Sequence, residues 1–233
     1  MAEGALWAWN VSALVYRWTY GPLVYELDRC VVQHLGGDLR GRVVGDIGCG
    51  PGVVTRALLA AGAERVIAVD VIAAMLDQVR DVEGAVPVEA RVVPELFPVL
   101  RAAHAPEGFD AFLFKRSLYH PRAEALEVLR AAYAALRPGG VICVVHPEGS
   151  LTRYAFGEPR RLRSHTPYHL FNRTISTLGV LLGAEQYTVY RRDDLMKLAG
   201  EVVGPACVEP VPCGTAAFNL VAIRRPSEPP SSA

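Results

Sequence analysis

The segment VVGDIGCGPGVVT, residues 43–55, contains the residues whose types and spacing most clearly predict chemistry. The acid Asp46 follows an apolar run, and three glycines then alternate before a helical run: Gly48, Gly50 and Gly52. Glycines at a turn from strand to helix let the backbone approach a ligand closely. Asp70 ends the next apolar run, about twenty residues further on, where a carboxylate can accept ribose hydroxyls. The pattern predicts a site for a nucleoside-containing ligand.

The spacing of this loop narrows the choice of ligand. A triphosphate loop needs Lys and Ser or Thr after its last glycine, and neither follows Gly52. The dinucleotide pattern GxGxxG would place its third glycine at position 53, which is Val53. Asp46 would repel a pyrophosphate but attract an ammonium group. These features favour S-adenosylmethionine over NAD or a nucleoside triphosphate.

The elements around the loop alternate between strands and helices. We predict strands at 42–47, 64–70, 86–93, 109–115 and 141–146, and helices at 53–62, 71–80 and 121–136. Such alternation predicts an α/β fold with a parallel sheet covered on both faces. A later helix is expected to begin near Asp193 and to stop at Gly200. Two final strand-like runs are joined by so short a link, Gly214-Thr215, that they must be antiparallel.

Four segments in this order resemble the class I S-adenosylmethionine-dependent methyltransferases that act on small molecules: VVGDIGCGPG, VIAVD, FDAFLFKRSLYH and LRPGGVICVV. The resemblance covers residues 40–146 well and 190–225 loosely. It implies a Rossmann-like sheet of seven mostly parallel strands, the last antiparallel, with helices on both faces. The expected layout is one methyltransferase domain over 1–225, with a helical cap (1–36), a substrate-side insertion (147–190) and a disordered tail (226–233).

The resemblance also implies a set of cofactor-binding residues: Asp46, Gly48, Cys49, Gly50, Gly52, Asp70, Val71, Met75, Arg116 and Ser117. Among them, Asp46 would hold the amino end and Asp70 the ribose, whereas Val71 and Met75 would pack near the adenine. Family members commonly carry an Asp-Ala pair after the third strand. This chain has Val92-Val93 there, with Glu95 displaced, so the adenine contact stays open.

The candidate catalytic residues are His120 and His146, each following a predicted strand at its carboxyl end. A histidine there can act as a general base for a hydroxyl or an amine, and the alternative is a structural role. The aromatic N-terminal region either packs on the core or closes over the cofactor, with Tyr16 and Tyr20 as the candidate contacts. Cys49 is interpreted as a small filler rather than a nucleophile.

The composition bounds the partners. Lys plus Arg and Asp plus Glu both number 24, so no net charge attracts a polyanion, and nucleic acid is not the expected partner. We expect a small organic acceptor, such as a natural product, and arginines in 147–190 favour an anionic one or belong to a solvated loop. We predict no metal, signal peptide or membrane span, a cytoplasmic location with reduced thiols, and allow a homodimer. The rivals are a non-methylating enzyme, a non-enzymatic partner subunit and an RNA methyltransferase.

Overall fold

The computed structural model describes residues 28–147, 190–204, 207–211 and 218–227. Its strands are β1 (Val43–Ile47), β2 (Arg65–Asp70), β3 (Ala85–Glu89), β4 (Phe109–Lys115), β5 (Leu136–Pro147), β6 (Val208–Val211) and β7 (Phe218–Arg224). Its helices are α1 (Val53–Ala60), α2 (Ala73–Leu76), α3 (Leu96–His104), α4 (Arg122–Ala135) and α5 (Arg192–Val203). Residues 28–34 are also helical, and we call them the N-terminal helical segment.

The seven strands form one sheet in the order β3-β2-β1-β4-β5-β7-β6. Strands β1 to β5 are mutually parallel, whereas β7 is antiparallel to both of its neighbours, β5 and β6. The predicted fold class, including the reversed last strand, is confirmed. The chain order reverses between β1 and β4, and open α/β sheets bind ligands outside the carboxyl ends of the strands at such a point.

The sheet is buried on both faces, as the apolar runs of its strands require. Every residue of β4 up to Phe114 is buried, and alternate side chains enter two different clusters. One cluster, with Phe112, packs under α3, α4 and α5, and its rings of Phe97 and Phe112 meet edge to face at 5.3 Å. The other packs under α1 and the N-terminal helical segment, which contributes Cys30 and Val31.

The structure corrects several predicted boundaries. The helix predicted at 71–80 is helical only over α2, since the chain then turns tightly to reach β3. The strand predicted to run to Val93 ends at Glu89, beyond which the Val92 carbonyl bonds to a side chain. Helix α3 was not predicted at all. Helix α5 passes through Gly200 and ends at Val203, before Gly204 with a φ of 82°.

In the described part of the chain, no helix is long and apolar enough to cross a membrane.

Candidate functional site

The glycine loop between β1 and α1 has the backbone conformation that its composition predicts. Gly48, Gly50 and Gly52 all have positive φ angles, of 71°, 54° and 74°. A Cβ on Gly48 would lie 2.3 Å from the Cβ of Ser117, so this glycine is needed for the loop to pack on the segment after β4. A Cβ on Gly50 would meet nothing within 4 Å. The loop therefore packs tightly on one side and presents bare backbone to open space at Gly50.

Asp70, at the end of β2, is held in place by this loop and by the residue that precedes α2. One oxygen accepts a hydrogen bond from the Gly50 amide at 2.8 Å, and the other accepts one from the Ile72 amide at 2.9 Å. Burial raises the pKa of Asp70, and these backbone bonds lower it. A carboxylate has about four lone-pair sites, so each oxygen can still accept one further hydrogen bond. Asp70 is thus pre-oriented and can still accept two ligand hydroxyls.

Asp46 lies under the loop, 2% exposed, and accepts a hydrogen bond from the Thr55 hydroxyl at 2.7 Å. Burial raises the pKa of Asp46 to about 6, although the Thr55 bond and the charge of Lys115 act in the opposite direction. A carboxylate that is costly to bury is stabilised by any cation that binds nearby. The position of Asp46 therefore suits the ammonium end of a ligand.

A buried ion pair joins the N-terminal helical segment to the end of β4. The Lys115 ammonium contacts the Asp28 carboxylate, and the side chains are only 9% and 4% exposed. Burial lowers the pKa of Lys115 and raises that of Asp28, whereas their mutual attraction opposes both shifts. Because the charge of Lys115 also acts on Asp46, the three residues form one buried charge cluster, which we call the acid–lysine cluster.

An apolar wall follows Asp70. Ile72 and Met75 are buried in a small cluster of their own, with Val71 and Ala74 packed against them. The wall contains Val71 and Met75, the two residues that the family resemblance implies near the adenine. Cys49 instead packs with Leu76 and Val79 in a separate cluster, and burial raises the pKa of its thiol, as suits an apolar filler.

The segment after β4 connects the glycine loop to the candidate bases. Arg116 has a φ of 58°, the only positive φ at a non-glycine residue in the described ranges. Backbone strain of this kind is concentrated at functional sites. Ser117 then contacts Gly48, and the next carbonyl, that of Leu118, contacts the His146 ring.

His146 is fully buried near the carboxyl end of β5, and its tautomer follows from its contacts. Nε2 lies 2.8 Å from the Leu118 carbonyl, which can only accept, so Nε2 carries a proton. Burial lowers the pKa of His146 to about 4, so the ring is neutral at pH 7 and its Nδ1 presents a lone pair. Among the described residues, none forms a hydrogen bond with this buried Nδ1. The ring is held edge to face by Tyr119 at 5.3 Å and Tyr190 at 5.6 Å.

His120 has a similar arrangement but is only half-buried. Its Nε2 lies 2.8 Å from the Val92 carbonyl and therefore donates to it, which leaves a buried Nδ1 without a partner. The Tyr190 hydroxyl donates to the His120 carbonyl at 2.7 Å. Tyr190 thus touches both histidine residues, although the sequence reasoning did not select it.

Some predicted site residues lie outside the described residues: Tyr16, Tyr20 and all of 148–189. The sequence reasoning also missed Thr55, Asp28 and Asn219. Thr55 follows the last glycine of the loop by three residues, so a helical reading would have turned its hydroxyl back toward Asp46. No local signal in the sequence pairs Asp28 with Lys115, 87 positions apart.

The comparisons with known proteins fit this geometry. Residues 44–140 match the family model described as a methyltransferase domain. This part of the chain is therefore similar to a methyltransferase domain. The matched range holds the glycine loop, Asp70 and the segment after β4, so the family signal coincides with the site built above.

Two curated relatives show the sequence similarity. A tRNA U34 carboxymethyltransferase of Idiomarina loihiensis is 38% identical over 112 residues, which are 47% of this chain and 34% of that protein. A ubiquinone biosynthesis O-methyltransferase of Bordetella avium is 34% identical over 139 residues, 55% of each chain. The chain therefore spans between a third and about half of the length of these curated relatives.

Among solved structures, the DhpI–SAM–HEP complex is similar in fold, with a TM-score of 0.62 and 18% sequence identity. The similarity covers 96% of this chain and 97% of that one. It supports the class I methyltransferase fold that the sequence implied.

Proposed function

We propose that the chain is an S-adenosylmethionine-dependent methyltransferase that acts on a small organic acceptor. The observation that carries this proposal is Asp70, which is fixed against the amide of Gly50 at 2.8 Å beside an open face of the loop. The arrangement offers a ribose two acceptor oxygens and offers the rest of the ligand bare backbone. The apolar wall of Ile72 and Met75 lies next to Asp70, where an adenine would follow its ribose.

Each half of the cofactor has a group to hold it. Asp46 and the glycine loop would bind the amino-acid end, Asp70 would bind the ribose, and Val71 and Met75 would flank the adenine. Ser117 would line the cofactor next to Gly48, since its buried hydroxyl has no partner in the described structure. When bound, S-adenosylmethionine supplies an electrophilic methyl group on a positively charged sulfur.

The chain's own residues then supply position and a base. Alignment of two reactants accounts for a large part of the rate enhancement of an enzyme. His146 would take the proton of an acceptor hydroxyl or amine at Nδ1, because its Nε2 is already used by the Leu118 carbonyl. His120 is the second candidate base, with its own unpartnered Nδ1.

A second candidate function is transfer to tRNA. It is favoured by the 38% identity to a tRNA U34 carboxymethyltransferase over 112 residues. The equal numbers of acidic and basic residues favour a small acceptor instead. A gel shift with bulk tRNA separates the two, since a tRNA enzyme should bind with a steep loss of affinity as salt rises.

The test of the proposed function is calorimetric titration with S-adenosylmethionine, S-adenosylhomocysteine and NAD. We expect binding of the first two and none of NAD. Asp70→Ala should weaken the binding by roughly 10- to 100-fold, since it removes hydrogen bonds to a charged acceptor. Asp77→Ala is the matched control, because Asp77 lies seven residues away on the surface with its side chain 64% exposed. Binding of NAD alone, or of none of the three, would contradict the proposal.

A further inference from the structure

Buried polar atoms without partners are concentrated at one place in the described structure. Ser117, His120, His146 and Asn219 together hold five such atoms, and all four residues lie at the ligand-binding edge of β4, β5 and β7. Buried polar groups in folded proteins are nearly always hydrogen-bonded. A cluster of exceptions points to a ligand or water that completes the bonds.

The absence of partners is most complete at Asn219, because neither polar atom of its side-chain amide has a hydrogen-bond partner among the described residues. Its side chain is 0% exposed. Leaving a buried donor or acceptor unpaired costs about 1–3 kcal/mol for each group. A leucine of similar size would avoid that cost, so packing alone does not explain an asparagine here.

Asn219 lies directly opposite His146 on the same face of the sheet. In the antiparallel register, His146 pairs with Asn219, and the next pair on that face is Val144 with Val221. Val144 and Val221 both belong to the cluster under α4 and α5, so the His146 and Asn219 side chains extend that face toward the ligand-binding edge. Directly opposed residues have Cβ atoms about 4.5–5.5 Å apart. The two side chains can therefore contact one small group together.

Resting on the proposed function, we infer that Asn219 and His146 form a specificity pair that binds the methyl acceptor through an N–H or O–H next to a carbonyl. The Asn219 amide nitrogen donates to the acceptor's carbonyl oxygen. Nδ1 of His146 accepts the hydrogen of the position to be methylated. Lactams, imides and hydroxyl groups beside a ketone present this combination of a donor and a neighbouring carbonyl, whereas an alcohol or amine without a carbonyl does not.

The chain also connects the pair to the cofactor loop. Nε2 of His146 bonds to the Leu118 carbonyl, and the preceding residue, Ser117, packs on Gly48. The pair that would bind the acceptor is therefore connected to the glycine loop through one short segment, the residues that follow β4.

The test uses the full chain with its histidine residues labelled with nitrogen-15, and two probes. 2-Pyridone carries N–H beside a carbonyl, and 1-methyl-2-pyridone keeps the carbonyl but lacks the donor. We expect 2-pyridone to shift the Nδ1 resonance of His146 and to bind about tenfold more tightly than the methylated probe. Asn219→Leu should remove that preference.

Two results would overturn the inference. One is equal binding of both probes to the wild type; the other is no change at His146 with either probe, in the presence and absence of S-adenosylhomocysteine. Failure of the proposed function is separate, since it would appear as absent cofactor binding while the pyridone response at His146 needs no cofactor.

A stability measurement distinguishes a ligand-binding asparagine from a structural one. Asn219→Leu should unfold at the same urea midpoint as the wild type or at a higher one, because it removes unpartnered buried groups. Thr55→Val is the matched control, as it removes a buried hydroxyl that does have a partner, and its midpoint should fall. A fall for Asn219→Leu as large as for Thr55→Val would show that Asn219 is bonded within the fold and would overturn the inference.

Discussion

The two halves of the site treat their buried polar groups in opposite ways. On the side of β1, β2 and β4, Asp46, Asp70 and Lys115 are each bonded to another group of the protein. On the side of β5 and β7, the Nδ1 of His146 and the side-chain amide of Asn219 have no hydrogen-bond partner among the described residues. The difference indicates that the first half is completed by the fold itself, whereas the second is completed only when an acceptor binds.

Substitutions in the two halves should therefore differ in how they change the free energy of unfolding. Substitution of a bonded polar group in the first half should destabilise the free protein, since it leaves a partner buried and unpaired. Substitution of an unbonded group in the second half should cost little stability and should cost function instead.

The largest effect is expected at the acid–lysine cluster. Lys115→Met leaves Asp28 buried without its cation, and breaking a buried ion pair from one side costs about 3–5 kcal/mol. The free energy of unfolding in urea measures this loss. The matched control is Arg80→Met, which breaks an exposed pair with Asp77 and should cost less than about 1 kcal/mol. Equal losses for the two variants would mean that Lys115 is not held in a buried pair.

The second-largest effect is expected in the half of the site at β5 and β7, where His146 should make the free energy of unfolding depend on pH. The pKa of His146 is about 4 in the folded protein and about 6.5 when unfolded, so the unfolded chain binds more protons between these values. Its contribution to stability is therefore complete above pH 6.5 and is lost as the pH falls toward 4. The loss between pH 6.5 and 5 is about 2 kcal/mol, and His146→Phe should abolish it.

The measurement for His146 is urea unfolding of the wild type and His146→Phe at several pH values. Asp46 titrates in the same range with the opposite sign: its folded pKa is raised to about 6, so it favours the fold at low pH and loses that effect as the pH rises through 6. The difference between the two proteins cancels the Asp46 contribution. A difference that does not vary with pH would show that the folded protein does not hold His146 neutral. His104→Phe, at a half-buried histidine on α3, is the control.

The smallest effect is expected at Thr55. Thr55→Val removes the hydroxyl that donates to Asp46 at 2.7 Å, and the variant should lose about 1.5 kcal/mol of stability. It should also raise the pKa of Asp46 further, since that bond favours the ionised carboxylate. Thr55→Ser keeps the hydroxyl and should restore both the stability and the pKa. Failure of serine to do so would assign the loss to packing instead.

The cofactor side was predictable from the sequence because its residues are local. Asp46, the glycines and Asp70 lie within 25 positions of one another. Their expected roles follow from a strand–turn–helix unit that is recognisable from the sequence pattern. The resemblance to class I methyltransferases and the predicted sheet with its reversed β7 are confirmed. The roles assigned to single site residues, including His120, stay predictions.

The acceptor side could not be predicted in the same way. Asn219 meets His146 only because β7 pairs antiparallel with β5, which brings together residues 73 positions apart. Asn219 is the only polar residue in the run FNLVAI, residues 218–223, and a single polar residue there indicates a strand edge more readily than a binding site. The missed helix α3, the short α2 and the early end of β3 likewise follow from how the chain returns to the sheet rather than from local periodicity.

The measurement that tests the account most directly is a crystal structure of the full chain with S-adenosylhomocysteine. We expect the ribose hydroxyls to lie within hydrogen-bond distance of Asp70 and the amino end to lie beside Asp46. We also expect the ligand to contact the protein backbone at Gly50. Asp70 should keep its bonds to the Gly50 and Ile72 amides, since each oxygen retains a free lone pair. A ligand bound away from Asp70, or an Asp70 side chain that must swing off Gly50 to admit it, would contradict the claim that this half of the site is already complete.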